Sequence, residues 1–197
     1  MNTILLTIVL ALTPSNMELA EEALVISSEA LSDILESYNV QNIIIEILGE
    51  HEGGWFLEQT LASVLCENDI SIISSVSDSS FRSFDRLMVR PMEIVVEYGD
   101  VSRPWLIGSK RVERIARCEL SATLVDSNGK IVTTARTNGT ADDVVSWSDV
   151  STLSGSSEWE WLSRELPEDS GSSILEPLIV SGVVASLVYL FYSSRAD

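Results

Sequence analysis

The feature that constrains this chain most is an uncharged run of fifteen residues, Leu178 to Tyr192 (LIVSGVVASLVYLFY), bounded by Glu176-Pro177 and by Arg195. A helix that is apolar on every side has no polar face to offer water, so it must be covered by protein or by lipid. After a polar, acidic stretch at the C-terminus, little sequence remains to wrap it. The expectation is a single transmembrane helix over residues 174–194, beginning its apolar part at Leu178, with 195–197 as a cytoplasmic tail. Fifteen residues at ~1.5 Å rise reach about 22 Å, short of a hydrocarbon core of roughly 30 Å. Pro177, Ser193 and Ser194 add reach, and Tyr189, Phe191 and Tyr192 suit the membrane interface. Gly182 and Ser186 form a small-xxx-small pair that lets two such helices approach, which leaves a homodimer open.

A second apolar run, Thr3 to Leu12 (TILLTIVLAL), precedes Thr13-Pro14-Ser15. Its length suits the apolar region of a signal peptide and is too short to span a bilayer. Residues 1–17 are therefore read as a signal peptide, although no Lys or Arg precedes the run. No clear A-x-A site follows it, and Met17-Glu18-Leu19-Ala20 is a loose candidate for cleavage. The alternative is a buried N-terminal strand or helix. Arg195 beyond the C-terminal helix and an acidic stretch before it place the tail in the cytoplasm and the domain outside.

Charge is unevenly distributed. The net of −18 repels phosphate, so nucleic acid is excluded as a partner. The first basic residue is Arg82. Residues 41–138 carry fourteen acidic and ten basic side chains, ordinary for a folded domain, whereas residues 139–176 carry nine acidic residues against Arg164 alone. The stretch 146–173, with Ser154-Gly155-Ser156-Ser157 and Glu168-Asp169-Ser170-Gly171-Ser172-Ser173, is read as a flexible acidic stem. Trp159 and Trp161 are expected to dock within or near it. Cys66 and Cys118 lack any C-x-x-C spacing and could pair only if the fold brings them together.

Between these segments, residues 18–145 are expected to form an extracytoplasmic α+β domain, with helices packed on one face of a mainly antiparallel sheet. Glu18 to Tyr38 reads as a helix with Ala23, Ile26, Ala30 and Ile34 at helical spacing. Asn42 to Leu48 reads as a buried strand, Trp55 to Cys66 as a helix burying Leu57, Leu61, Val64 and Leu65, and Ile70 to Ser74 as a strand. Met92 to Tyr98 alternates, with Met92, Ile94, Val96 and Tyr98 on one side. Arg117 to Val125 and Lys130 to Thr137 flank Asp126-Ser127-Asn128-Gly129, a strong hairpin signal for a loop of two to four residues.

The succession NIIIEIL, FLEQTLASVLCEND, ISIIS and LVDSNGKIV resembles the periplasmic domains of envelope assembly proteins. These are the N-terminal region of the curli-secretion protein CsgG and the LpoB-like lipoprotein activators of penicillin-binding proteins. The resemblance covers about 100 residues and rests on pattern. It implies a periplasmic assembly role and transfers no functional residue. Those proteins are usually lipoproteins; here no Cys follows the apolar leader, and a C-terminal helix would replace the lipid.

No motif for catalysis stands out. His51 is the only histidine, so a zinc site or Ser-His-Asp triad lacks partners, and His51 is read as a solvated loop residue. No phosphate-binding glycine loop is present. Carboxylates such as Asp142-Asp143 and Glu158/Glu160 are abundant, as expected for so acidic a chain. No catalytic, cofactor or metal residue is assigned. Lys110, Arg111, Arg114 and Arg117 form the one basic cluster, a candidate docking patch for an acidic partner. On a strand, Arg111 and Arg117 share a face with Glu113 and Glu119, so cross-strand ion pairs are the simpler reading. The functional expectation is a non-catalytic, membrane-anchored binding or assembly domain with a protein partner in the cell envelope. The alternatives are a membrane-anchored hydrolase using paired carboxylates and a tail-anchored cytosolic protein.

Overall fold

The computed structural model describes residues 13–73, 84–103, 109–153, 161–164, 166 and 175–193. The apolar run Thr3–Leu12 and Trp159 lie outside them. In chain order the elements are α1 (Asn16–Ser37), β1 (Asn42–Ile47), α2 (Gly54–Glu67), β2 (Ser71–Ile72), β3 (Asp85–Tyr98), β4 (Arg111–Val125), β5 (Ile131–Ser146), a short 3-10 turn (Trp147–Asp149) running into α3 (Val150–Leu153), and α4 (Leu175–Ser193). The five strands form one sheet in the order β2-β1-β3-β4-β5.

The sheet is mixed. β1 pairs in parallel with both β2 and β3, while β3–β4 and β4–β5 are long antiparallel ladders. The parallel half follows from connectivity, because β1 and β2 are joined through α2 and must run the same way. α1 packs on β3, β4 and β5 and also against α2, so both helices cover the same sheet face.

α1 starts where the sequence permits a reciprocal cap. Ser15 Oγ accepts from the Glu18 N–H at 3.2 Å, and the Ser15 N–H donates to Glu18 Oε2 at 2.6 Å. These backbone and hydroxyl hydrogen bonds hold the Glu18 carboxyl below its ordinary range. The buried face is Leu19, Ala20, Ala23, Leu24, Ser27, Ser28, Leu31, Ser32 and Leu35. The face read from the sequence is rotated from this one: Ala23 is buried, but Ile26 is exposed and Ala30 and Ile34 are half-buried. Small residues occupy the inward stripe because the helix lies almost on β5. A Cβ at Gly139 would meet the Ala23 carbonyl oxygen at 1.9 Å.

The two helices end alike. Asn39 and Asp69 adopt left-handed backbone (φ 56° and 61°), and the following Val40 and Ile70 donate back to Leu35 and Leu65 carbonyls at 3.4 and 2.9 Å. Val40 and Ile70 are themselves buried, which turns each helix directly into its strand.

β3 changes its inward parity. Leu87 and Val89 face the core before the irregularity at Pro91/Glu93, and Ile94 and Val96 face it afterwards. Met92 is the extra residue of that bulge and is exposed, not aligned with Ile94 and Val96 as its spacing suggests. Pro91 sits at the bulge, where a missing N–H costs least.

β4 and β5 run further than their apolar content indicates, from Arg111 and to Ser146. The hairpin between them has the three-residue loop Ser127–Gly129, closed by the Asp126 N–H on the Lys130 carbonyl at 2.9 Å, with Gly129 at φ 82°. Asp126 Oδ1 accepts from the Lys130 and Asn128 N–H groups at 2.8 and 2.9 Å, and these bonds, that from Lys130 foremost, hold its carboxyl below the usual carboxylate range.

The stretch 146–173 is not stem throughout. Trp147 and Leu153 pack with Val112, Val145 and Val150 in a small second core. Leu162 is fully buried in the main core, Trp161 packs against it, and Ser163 forms a parallel bridge with Val96. That bridge fills the edge of β3 beyond the end of β1, whose pairing stops at Val89. The docking expected of Trp161 is thus observed, while serine- and acid-rich sequence hid the part played by Leu162. The Ser154–Ser157 and Glu168–Ser173 segments fall outside the described residues.

Candidate functional site

The basic cluster read from the sequence is divided by the pleat of β4. Successive side chains point to opposite faces, so Arg114 lies on the face opposite Arg111 and Arg117. Even-numbered residues from Val112 to Leu124 are buried beneath the helices, while Arg111, Glu113 and Arg117 are exposed. Lys110 lies just before the strand, its carbonyl accepting from the Trp147 N–H at 2.9 Å.

On the open face the charges pair across strands. Arg117 meets Glu97 at 3.5 Å, Arg136 meets Glu119 at 3.4 Å, and Arg164 bridges Glu93 (2.9 Å) and Glu97. All are substantially exposed, so each contributes about 0–1 kcal/mol. The two Arg164 pairs tie the 161–164 segment onto β3, while the others link β4 to β3 and β5 to β4.

Arg114 is different: it is fully buried. It stands opposite Asp143 in the β4–β5 ladder. Its Nη1 donates to Asn16 Oδ1 at 2.8 Å and its Nη2 to the Pro14 carbonyl at 2.7 Å. Asn16 in turn donates through Nδ2 to Tyr98 Oη (2.5 Å) and Ser163 Oγ (2.8 Å). A guanidinium offers its donors in a fixed planar fork, so one residue joins the chain before α1, the first turn of α1 and β5. Asn16 extends the network to β3 and to the 161–164 segment. Sequence reading missed Asn16, Tyr98, Asp143 and Ser163. The available signal was alternation: Arg114 shares parity with Val112, Ala116, Cys118 and Leu120, which marks it as inward.

The boundary drawn at residue 17 therefore falls inside the folded domain. Ser15 caps α1, Asn16 is buried, and Pro14 is held by Arg114.

His51 lies in a loop as expected but is half-buried and partnered. Its Nδ1 accepts from the Gly53 N–H at 3.0 Å, and its ring meets Trp161 edge to face at 5.5 Å. Gly53 has no room for a side chain, since an added Cβ would come within 2.5 Å of the Trp161 ring. Both cysteines are free: Cys66 is exposed on α2, and Cys118 is buried on β4, where desolvation pushes its thiol up to about 12. Among the described residues no group of three or more His, Cys, Asp or Glu is placed to hold a metal ion.

α4 contains the residues read as a membrane anchor. Val183, Val184, Leu187, Val188, Tyr189 and Phe191 are all exposed, the last two at 73% and 67%. Gly182 has no neighbour within 4 Å of an added Cβ, and Ser186 Oγ donates to the Gly182 carbonyl at 2.8 Å, so its hydroxyl is satisfied within the helix. Leu178 and Tyr192 lie in α4 with side chains outside the described residues. Among the described residues no helix is long and apolar enough to cross a membrane.

No protein-family model matches this chain, and no curated protein matches it. Solved structures give weak likenesses. A minor lipoprotein from Acinetobacter baumannii is 15% identical over 54% of this chain and 66% of that one, with a TM-score of 0.33. Lipoprotein GNA1162 from Neisseria meningitidis is 16% identical over 75% of this chain and 98% of that one, with a TM-score of 0.30. A neuraminyllactose-binding hemagglutinin homolog from Helicobacter pylori is 12% identical over 54% and 67%, with a TM-score of 0.33. The chain thus spans just under two thirds of the first of these. Two of the three are bacterial lipoproteins by name, and none is the curli-secretion protein or an activator of penicillin-binding proteins.

Proposed function

We propose that this chain is a non-catalytic binding or assembly domain of the cell envelope, held at a membrane by α4 with the domain on the extracytoplasmic side. One observation carries the reading: Val183, Val184, Leu187, Val188 and Tyr189 of α4 are all exposed apolar side chains among the described residues. Removing such a surface from water is worth about 25 cal/mol per Å², so an exposed apolar helix of this kind is a strong demand for lipid or protein. Its apolar run is short for a bilayer. Tilt is therefore excluded as an adjustment, and local thinning with interfacial Tyr189, Phe191 and Tyr192 closes the gap. Gly182, with open space beside it, is the place where a second copy of α4 would approach.

We place the protein partner on the open sheet face, where Arg111 and Arg117 are exposed, Arg117 already pairing with Glu97, while Arg114 is enclosed. Deleting residues 175–197 tests the anchor. The truncated protein should move from the membrane pellet to the soluble fraction with its domain folded; persistence in the pellet would remove α4 as the anchor.

A further inference from the structure

We propose that the free edge of β5, walled by the outer flank of α1, is a strand-binding groove. It takes an extended segment of a partner protein, apolar at alternate positions and basic overall. The groove is separate from the open sheet face and does not depend on α4.

The sheet ends at β5, which pairs with β4 alone among the described residues. The Trp147 N–H donates to the Lys110 carbonyl at 2.9 Å, continuing the pairing of Arg111 with Ser146. Odd-numbered residues of β5 therefore direct their backbone groups to β4, and even-numbered ones, from Thr134 to Val144, aim theirs outward. Long sheet edges are ordinarily blunted by Lys, Pro or a bulge. β5 contains neither Lys nor Pro, and its register shifts only at the hairpin end, between Leu124 and Val125. A row of outward donors and acceptors calls for another strand.

α1 supplies the apolar wall. Ala23 lies over Gly139 and Ser27 beside Thr137, so one helix turn advances two strand residues. The next two turns set Ala30 beside Ala135 and Ile34 beside Thr133. At about 100° per residue, Ser28, Ser32 and Leu35 turn to one side of the Ala23–Ser27 line, and Ile26 and Ala30 turn to the other. The first side is buried, as the flank packed on α2 must be. The second overhangs the outer edge of β5. Coverage is incomplete there: Ile26 is 40% exposed, and Ala30, Ile34, Thr133 and Ala135 are only half-buried.

A second copy does not fit this groove. Antiparallel pairing of two β5 edges sets the strands about 4.8 Å apart, with both α1 helices on the same face. Each α1 rides directly on its own β5 at Gly139, whereas packed helices need about 8–10 Å between axes. A lone strand brings no such helix. Charge fixes its sign. Glu22 and Asp33 are exposed on the same flank of α1 as Ile26, Asp142 is exposed on β5, and Arg136 already meets Glu119 at 3.4 Å. Basic side chains on the added strand complement these acids, and acidic ones are repelled.

The test titrates the full chain, in a neutral detergent, with the dye-labelled, end-blocked peptide TVKVTIKVT, followed by anisotropy. An added strand that bonds to the even residues of β5 carries its Thr and Lys on the open face and its Val and Ile against α1. N-methylation of the Thr and Lys amides should therefore weaken binding about ten-fold or more, and N-methylation of the Val and Ile amides should not. Thr134→Pro removes one outward N–H and keeps the β4 ladder, and Ile26→Ser removes part of the wall. Each should weaken binding with the urea midpoint near that of the parent; if the proline lowers the midpoint, Ile26→Ser decides. Absence of binding, equal effects of the two methylation patterns, or unchanged binding by Ile26→Ser would overturn the proposal. So would a dimer of the free chain that Thr134→Pro dissolves, which gives the edge to a second copy, or binding seen only after deletion of residues 2–12, which gives it to this chain.

Discussion

Arg114 and Asp143 stand opposite each other on β4 and β5, and the guanidinium meets the carboxylate through Nε to Oδ1 at 2.9 Å and Nη2 to Oδ2 at 2.5 Å. The pair is asymmetric, since Arg114 is fully enclosed while the Asp143 side chain keeps 22% of its exposure. Removing the carboxylate leaves a buried cation without its counter-charge. Asp143→Ala should therefore cost about 3–5 kcal/mol in urea denaturation. Replacing both residues with apolar ones of similar size should cost clearly less than the sum of the single changes. Additive losses would show that the two residues do not act as a pair.

Gly139 permits the closest approach among the described glycines. Its missing side chain lets the α1 backbone at Ala23 and Ser27 rest on β5, where Ser27 and Thr137 also share a hydrogen bond of 2.8 Å. Gly139→Ala must push α1 away and should destabilise by about 1–3 kcal/mol or more. Gly182→Ala, with nothing within 4 Å, should leave the denaturation midpoint unchanged. An unaltered midpoint for Gly139→Ala would contradict the close packing.

The α1 cap gives a graded expectation. Ser15→Ala should lower stability by about 1 kcal/mol through loss of the hydroxyl cap. A chain beginning at Glu18 should lose far more, because Pro14 and Asn16 leave Arg114 with them. A chain beginning at Thr13 should match the full domain in thermal denaturation. Equal stability of the Glu18 and Thr13 chains would remove the hub from the account.

Cys118 predicts a pH dependence. Its thiol is raised from 9.0 to about 12 by burial, whereas the unfolded chain ionises near the ordinary value. Below pH 9 the two states bind the same proton; above it the unfolded state loses the proton first. Stability should therefore fall as pH rises from about 9 towards 12, and Cys118→Ala should flatten that limb relative to the parent. Alkylation of the folded protein at mildly alkaline pH should mark Cys66 and spare Cys118. Modification of both would show that the core opens at β4.

Much of this fold was legible because local chemistry and burial agreed. Leu57, Leu61, Val64 and Leu65 marked the buried face of α2, and Asp126-Ser127-Asn128-Gly129 marked the hairpin. Other parts were hidden for identifiable reasons. The inward face of α1 is written in Ala and Ser because Gly139 brings β5 so near, so larger Ile26 and Ile34 drew the reading to the wrong side. The bulge at Pro91/Glu93 reversed the parity that places Met92. Arg114 read as part of a surface cluster because its partners, Asn16 and Asp143, are 98 and 29 residues away in sequence. Trp161 docks as its size suggested, but Leu162 was lost in an acidic stretch whose composition resembles a linker.

The most direct test of the central claim is protease protection on intact cells or spheroplasts, with a tag placed after Asp197 and alkaline extraction of the membranes. The account predicts a membrane-bound species that resists extraction, a domain digested from outside, and a tag that stays protected. A protein released by extraction, or a domain shielded from protease while the membrane is intact, would contradict it.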